Sequence, residues 1–151
     1  MERIDQKKYL KAEERVAHGG TFTGNPISMV AGCATLDLLK DGKVYIDIDR
    51  LGKRMRGGLD DVFERGKMPT TVTGVDSTFA IHFQAKVPRN AGDTAKNDML
   101  ATRAYFAHML DRGIIYLSPT VSHCWISSPH TKENIDVYVT ATEDFVRSYK
   151  P

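Results

Sequence analysis

The spacing of apolar side chains predicts two helices in the first half of the chain. The first runs from Ile27 to Leu39, with Asn25 as its N-cap and Pro26 at its first position. The second covers residues 47–65, with Asp47 and Asp49 in its first turn. The apolar positions are Ile27, Val30, Ala31, Ala34 and Leu38 in the first helix, and Ile48, Leu51, Met55, Leu59 and Val62 in the second. This helical spacing gives each helix one face to bury.

After Pro69 the pattern changes from helical spacing to alternation. The alternating and β-rich stretches predict strands over residues 71–75, 79–85, 114–117 and 124–127. Thr94 is predicted to cap a helix over residues 95–112, and Thr131 a last helix over residues 132–148. This order of elements predicts an α+β fold, in which a small antiparallel sheet carries helices on one face.

The same order predicts a division of the chain into three segments. Residues 1–42 have no evident part in the sheet and resemble the edge of a larger domain. Residues 43–68 form a connecting helix, and residues 69–151 form the α+β domain.

Composition excludes several classes of protein. Lys and Arg total 21 and Asp and Glu total 19, a net charge of +2, so no basic excess points to nucleic acid. No apolar run is long enough to span a bilayer, and the first eight residues lack the apolar stretch of a signal peptide. We therefore expect a cytoplasmic protein in which the two cysteines, Cys33 and Cys124, are buried thiols; the alternative is one disulfide between them.

The one glycine-dense stretch, His18 to Pro26, leads directly into the first helix. Glycines let the backbone approach a ligand, threonine hydroxyls donate hydrogen bonds, and a helix N-terminus favours an anion. These features favour a phosphate-binding turn. The alternative is a glycine-rich turn with an ordinary helix cap, because the stretch matches neither common phosphate-loop motif. The residues alone leave both interpretations open.

The histidines and cysteines indicate no metal site and no nucleophile. No pair of them has metal-ligand spacing. His82 alternates with the apolar positions of a strand and His130 precedes a helix, so both are interpreted as structural. His123 and Cys124 are adjacent, but neighbouring side chains on a strand point to opposite faces.

Four segments, in the right order, resemble the class III aminotransferases, which are fold-type I enzymes that use pyridoxal 5′-phosphate. They are His18–Pro26 with the following helix (the family's HGGTFxGNP), Gly74–Ser77 with Ile81–Phe83, Met109–Pro119, and Ile126–Asp136 (the family's S-x-x-H-T-x-x-D-I). Within the class the chain is most similar to the glutamate-1-semialdehyde 2,1-aminomutase branch. The Gly-x-x-Ser and His-Phe pattern is also similar to β-amino-acid aminotransferases.

The resemblance implies a cofactor, a partner and a site. It implies pyridoxal phosphate, a homodimer, and small-molecule amine and keto or aldehyde substrates. It implies that the Thr21 hydroxyl and the Gly20 backbone bind the cofactor phosphate of the neighbouring subunit, with Thr23 as a weaker candidate. It assigns no catalytic residue and no metal ligand to this chain, most of which matches the family's C-terminal small domain.

Two departures from the family pattern shape the expectation for function. Family members hold the cofactor on a lysine upstream of the segment that matches Thr21, but only 20 residues precede Thr21 here. Lys7, Lys8 and Lys11 stand in a charged segment unlike that site. We therefore expect the C-terminal portion of such an enzyme, a partner of its large domain, inactive alone.

The second departure is the loop Pro119–Trp125, which lacks the acidic residue of many aminomutase relatives. A β-amino-acid or other ω-aminotransferase is therefore an alternative within the class. A non-catalytic interaction domain is the alternative from another class.

Overall fold

The computed structural model describes residues 8, 11–14, 16, 19–115 and 123–150, and the chain divides into two compact units after Asp41. The first unit holds a short 3-10 turn at Ala12–Glu14 and helix α1 (Pro26–Leu39). The second unit holds helices α2 (Lys43–Arg65), α3 (Ala91–Thr94), α4 (Met99–Asp111) and α5 (Lys132–Ser148) and strands β1 (Thr71–Thr73), β2 (Thr78–His82) and β3 (His123–Trp125). None of the helices in these described ranges is both long and apolar enough to cross a membrane.

Helix α1 is apolar on two opposite sides. At about 100° per residue, Met29 and Leu36 lie opposite the predicted stripe that contains Val30 and Leu38. None of its residues is buried, and Leu36 and Leu38 are 68% and 76% exposed. The prediction of a single apolar face is therefore wrong, because it took no account of the second side. Cys33, predicted to be a buried thiol, is a free cysteine on this exposed helix.

The sheet has three antiparallel strands in the order β1-β2-β3. Val72 lies opposite Ile81, and Phe79 lies opposite Cys124. The predicted α+β fold, a small antiparallel sheet with helices on one face, is confirmed. The strands are shorter than predicted. In the strand predicted over residues 114–117, Ile114 and Ile115 have no strand structure, and residues 116–117 lie outside the described residues.

The core of the second unit lies between the sheet and helices α2, α4 and α5. Its largest fully buried side chains are Tyr105, Leu59, Met109, Ile135 and Thr142. The Tyr105 hydroxyl lies 2.7 Å from Thr142 Oγ1, and Thr142 in turn donates to the Tyr138 carbonyl at 2.9 Å. The predicted division set residues 43–68 apart, yet α2 supplies six buried residues to this unit. The three-way division itself stays a prediction.

Two helix starts differ from prediction. Helix α2 begins four residues early, after Gly42 in the left-handed conformation (φ +75°), so Asp47 lies beyond its first turn. Helix α4 begins at Met99 because Asp98, not Thr94, accepts hydrogen bonds from the amides of its first turn. The cap predicted for α5 is confirmed, since Thr131 and Asn134 form a reciprocal capping box.

Helix α2 also fixes the turn between β1 and β2. Arg56 Nη1 donates to the carbonyls of Asp76 (2.6 Å) and Thr78 (2.8 Å). Gly52 brings the helix so close that a Cβ there would collide with the Asp76 carbonyl. The backbone of the turn is thus held against α2 by the Arg56 hydrogen bonds and by the close approach that Gly52 allows.

Candidate functional site

The predicted phosphate-binding residues, Gly20 and Thr21, lie in an exposed turn before α1. The Thr23 amide donates to the Gly20 carbonyl at 3.0 Å, and Gly24 closes the turn with φ +73°. A Cβ at Gly20 would lie 3.1 Å from Thr23 Oγ1, so the turn has little room for a side chain there. Within the described ranges no residue is hydrogen-bonded to the Thr21 hydroxyl. That hydroxyl is therefore available to a ligand.

The N-terminus of α1 is occupied by its own cap. Asn25 Oδ1 accepts from the amides of Ile27 (3.0 Å) and Ser28 (3.2 Å), and the Asn25 carbonyl accepts from Met29. Pro26 has no amide hydrogen to offer. The first-turn amides of α1, predicted to help bind an anion, are already bonded to Asn25. Asn25, the residue that marks the start of the helix, therefore occupies the amides that an anion would need.

His82 is buried in β2 and links two strands of the sheet. Its Nε2 lies 2.9 Å from Thr73 Oγ1 on the neighbouring strand, while its Nδ1 has no partner in the described part of the chain. Burial lowers the pKa of His82, which favours the neutral ring. The predicted structural role of this residue agrees with the cross-strand bond.

The other candidate residues also occupy structural positions. The His130 ring is bonded to Ser127, whose amide donates to His130 Nδ1 at 3.1 Å, as expected for a residue that stabilises the start of α5. His123 packs edge-on against Trp125, with ring centroids 4.6 Å apart. Burial raises the pKa of Cys124 to about 11, so its thiol is a poor nucleophile at neutral pH. Nowhere in the described ranges do three His, Cys, Asp or Glu residues come close enough to hold a metal ion.

Comparison with known proteins extends this picture. The family model "Aminotransferase class-III" matches residues 2–145. A glutamate-1-semialdehyde 2,1-aminomutase from Methanothermobacter thermautotrophicus is 37% identical over 135 residues, which are 89% of this chain and 32% of that protein. The corresponding enzyme of Clostridium kluyveri is 32% identical over 133 residues. The chain thus spans about a third of the length of the curated relatives it matches.

Solved structures share the fold. A β-phenylalanine aminotransferase from Variovorax paradoxus superimposes with a TM-score of 0.76 and 28% identity, over 91% of this chain and 34% of that one. A glutamate-1-semialdehyde aminomutase from Pseudomonas aeruginosa gives the same TM-score of 0.76 at 21% identity, which shows the fold alone. Because the family model and relatives above 30% identity each cover most of the residues, this chain belongs to the class III aminotransferase family.

Proposed function

We propose that this chain supplies the C-terminal, small-domain portion of a pyridoxal-phosphate enzyme that moves amino groups. The observation that carries the proposal is the asymmetry of coverage. The match takes in 89% of this chain but 32% of the aminomutase relative. Transfer or internal migration of an amino group on a small amine substrate would then belong to the complete enzyme, as would the homodimer. The cytoplasmic location also stays a prediction.

The turn at Gly20 and Thr21 suits the phosphate of this cofactor. Bound pyridoxal phosphate supplies an electron sink for bonds at the amine-bearing carbon. Thr21 contributes an exposed hydroxyl whose hydrogen bonds are not used within the described chain, and hydrogen bonds to a charged phosphate are among the strong ones. Gly20 keeps the turn compact, because a side chain there would crowd Thr23. This chain would therefore orient the cofactor by its phosphate.

The aminomutase reaction is our first choice, and an aminotransferase acting on β-amino acids is the second. The curated relatives at 31–37% identity are aminomutases, which favours the first. The 28% identity to a β-phenylalanine aminotransferase favours the second. The chain can be mixed in parallel with the large-domain portion of the M. thermautotrophicus aminomutase, assayed on glutamate 1-semialdehyde, and with that of the V. paradoxus aminotransferase, assayed on β-phenylalanine. Activity in the first mixture and not in the second supports the first choice.

The 151-residue chain by itself should not catalyse transamination. The turn would hold only the phosphate end of the cofactor, so binding near millimolar is expected, a free energy of about −4 kcal/mol. Titration with pyridoxal phosphate followed by borohydride reduction and mass spectrometry measures this. A stoichiometric adduct on one specific lysine, together with amino transfer to a keto acid, would contradict the proposal. Scattered labelling of surface lysines would not.

Replacing Thr21 by Ala tests the phosphate turn in the reconstituted enzyme. Loss of one hydrogen bond to a charged group costs about 1.5–3 kcal/mol, so Thr21→Ala should retain the cofactor at least about tenfold less tightly. Thr23→Ala, in the same turn, tests the weaker candidate and should reduce retention less than Thr21→Ala. Equal retention in both variants would remove Thr21 from the site.

A further inference from the structure

A cavity of about 590 Å³ lies between the first half of α2 and the start of α5. Its volume falls within the range of small-molecule binding sites. Its walls come from residues 44–54 on one side and residues 128–132 on the other. All of these residues belong to the second compact unit, so the cavity is a feature of that unit.

One wall of the cavity is aliphatic. Val44, Ile48 and Leu51 line it from one face of α2, at the i, i+4 and i+7 positions. Leu51 continues into the core, where it is 9% exposed, and anchors this wall. A ligand with a hydrocarbon part would be desolvated here at little cost.

The rest of the lining is rich in cationic hydrogen-bond donors. Arg50, Arg54 and Lys132 line the cavity, against the single carboxylate of Asp47. Arg54 Nε and Nη2 both bind Asp136 Oδ1, at 2.7 and 2.6 Å, so the guanidinium has further N–H groups to offer. Lys132 forms no ion pair within the described ranges. Arg50 Nη2 pairs with Asp47 Oδ1 at 3.1 Å, so the cationic donors that remain for a ligand are Lys132 and the further N–H groups of Arg54.

His130 adds a ring nitrogen to the lining. Its Nδ1 is engaged by Ser127, whose amide, hydroxyl oxygen and carbonyl oxygen lie 3.1, 2.9 and 3.2 Å from it. Its Nε2 is the ring nitrogen that remains for a ligand. The amides at the N-terminus of α5 do not bind the ligand, because Thr131 and Asn134 form a capping box there. Recognition would rest on side chains.

We propose that this cavity binds a small aliphatic carboxylate. The carboxylate lies against Lys132, Arg54 and His130, and the hydrocarbon chain lies against Val44 and Ile48. A charged group alone would leave the aliphatic wall uncovered, and an apolar molecule alone would leave the cationic groups without an anion. The site uses neither Gly20 nor Thr21, so it stands or falls independently of the proposed phosphate turn.

Three probes test the proposal on the 151-residue chain at fixed ionic strength. Hexanoate carries both features, inorganic phosphate carries charge without a chain, and 1-hexanol carries a chain without charge. Calorimetric or NMR titration should show that hexanoate binds more tightly than either of the others. Lys132→Gln should weaken hexanoate binding about tenfold, the loss of one charged hydrogen bond. Lys150→Gln, an equal change of charge outside the cavity, should leave it unaltered.

Two results would overturn the proposal. One is phosphate or 1-hexanol binding as tightly as hexanoate, because the cavity would then not recognise the combination. The other is an equal effect of Lys132→Gln and Lys150→Gln, which would reduce the binding to general charge attraction. Thermal unfolding of both variants provides the control for folding, and Val44→Thr, which keeps the side-chain shape, supplies a second test. It should weaken hexanoate binding and leave phosphate binding unchanged.

Discussion

At the scale of single residues, His82 couples the stability of the sheet to pH. Its ring is 7% exposed, its Nε2 is bonded to Thr73, and its Nδ1 has no partner in the described chain. Burial lowers its pKa below the value of about 6.5 that it regains on unfolding. The unfolded state therefore binds the proton more readily in the window between the two pKa values.

We expect the free energy of unfolding to fall as the pH drops through 6.5 toward the lower pKa of the folded state. Above that window the contribution of His82 is fully present. His82→Gln should lower stability at neutral pH, because it loses the bond to Thr73, yet should flatten the decline on acidification. Urea unfolding between pH 7.5 and pH 5 measures both effects. His123→Gln, at an exposed position, is the control, and an equally steep decline in His82→Gln would exclude His82 as its source.

At the scale of secondary-structure elements, the glycines of α2 have opposite roles. Alanine is favoured over glycine in a helix by about 1 kcal/mol. At Gly57 a Cβ would meet nothing within 4 Å, so Gly57→Ala should stabilise the fold by up to about that amount. At Gly52 a Cβ would collide with the Asp76 carbonyl, and Gly52→Ala should destabilise by about 1–3 kcal/mol despite the better propensity.

Chemical denaturation of the two alanine variants separates packing from propensity. Stabilisation in both would show that the turn at Asp76 moves away without cost, and that α2 does not fix it. An added Arg56→Lys variant tests the second attachment of the turn. It should weaken the bonds to the Asp76 and Thr78 carbonyls, which at present share one guanidinium nitrogen.

The elements that sequence predicted well are those whose signals are local. The Asn25 and Thr131 caps and the β1–β2 pairing follow from neighbouring residues alone. The start of α4 was misplaced because Thr94 and Asp98 are both plausible caps, and the amide of Asp98 is tied to the Phe83 carbonyl of the hairpin. The competition between Asn25 and a ligand for the amides of α1 was also missed. It was nevertheless implied by the residue types, because a cap side chain accepts from the amides of the first turn.

At the scale of the whole molecule, we expect the exposed apolar surface of α1 to be buried in an interface. Its two apolar sides carry Ile27, Val30 and Leu38 on one and Met29 and Leu36 on the other, all more than half exposed. Each such side chain contributes roughly 1.5–3 kcal/mol when fully buried. A surface of this kind on a soluble protein marks an interaction site. Under the proposed function, we expect the large domain or the partner subunit of the complete enzyme to cover it.

We therefore expect the 151-residue chain to form dimers or larger assemblies through α1. Sedimentation velocity at a protein concentration of roughly tens of micromolar should show species that sediment faster than the monomer. Leu38→Glu and Leu36→Glu each place a charge on a different side of α1, so their separate effects identify the contacting side, with at least about tenfold weaker association where that side is used. Val137→Glu changes another apolar residue that is more than half exposed, in α5, and should leave association unaltered. A sharply monomeric wild-type profile would contradict the prediction, since the apolar sides of α1 would then be stable in water.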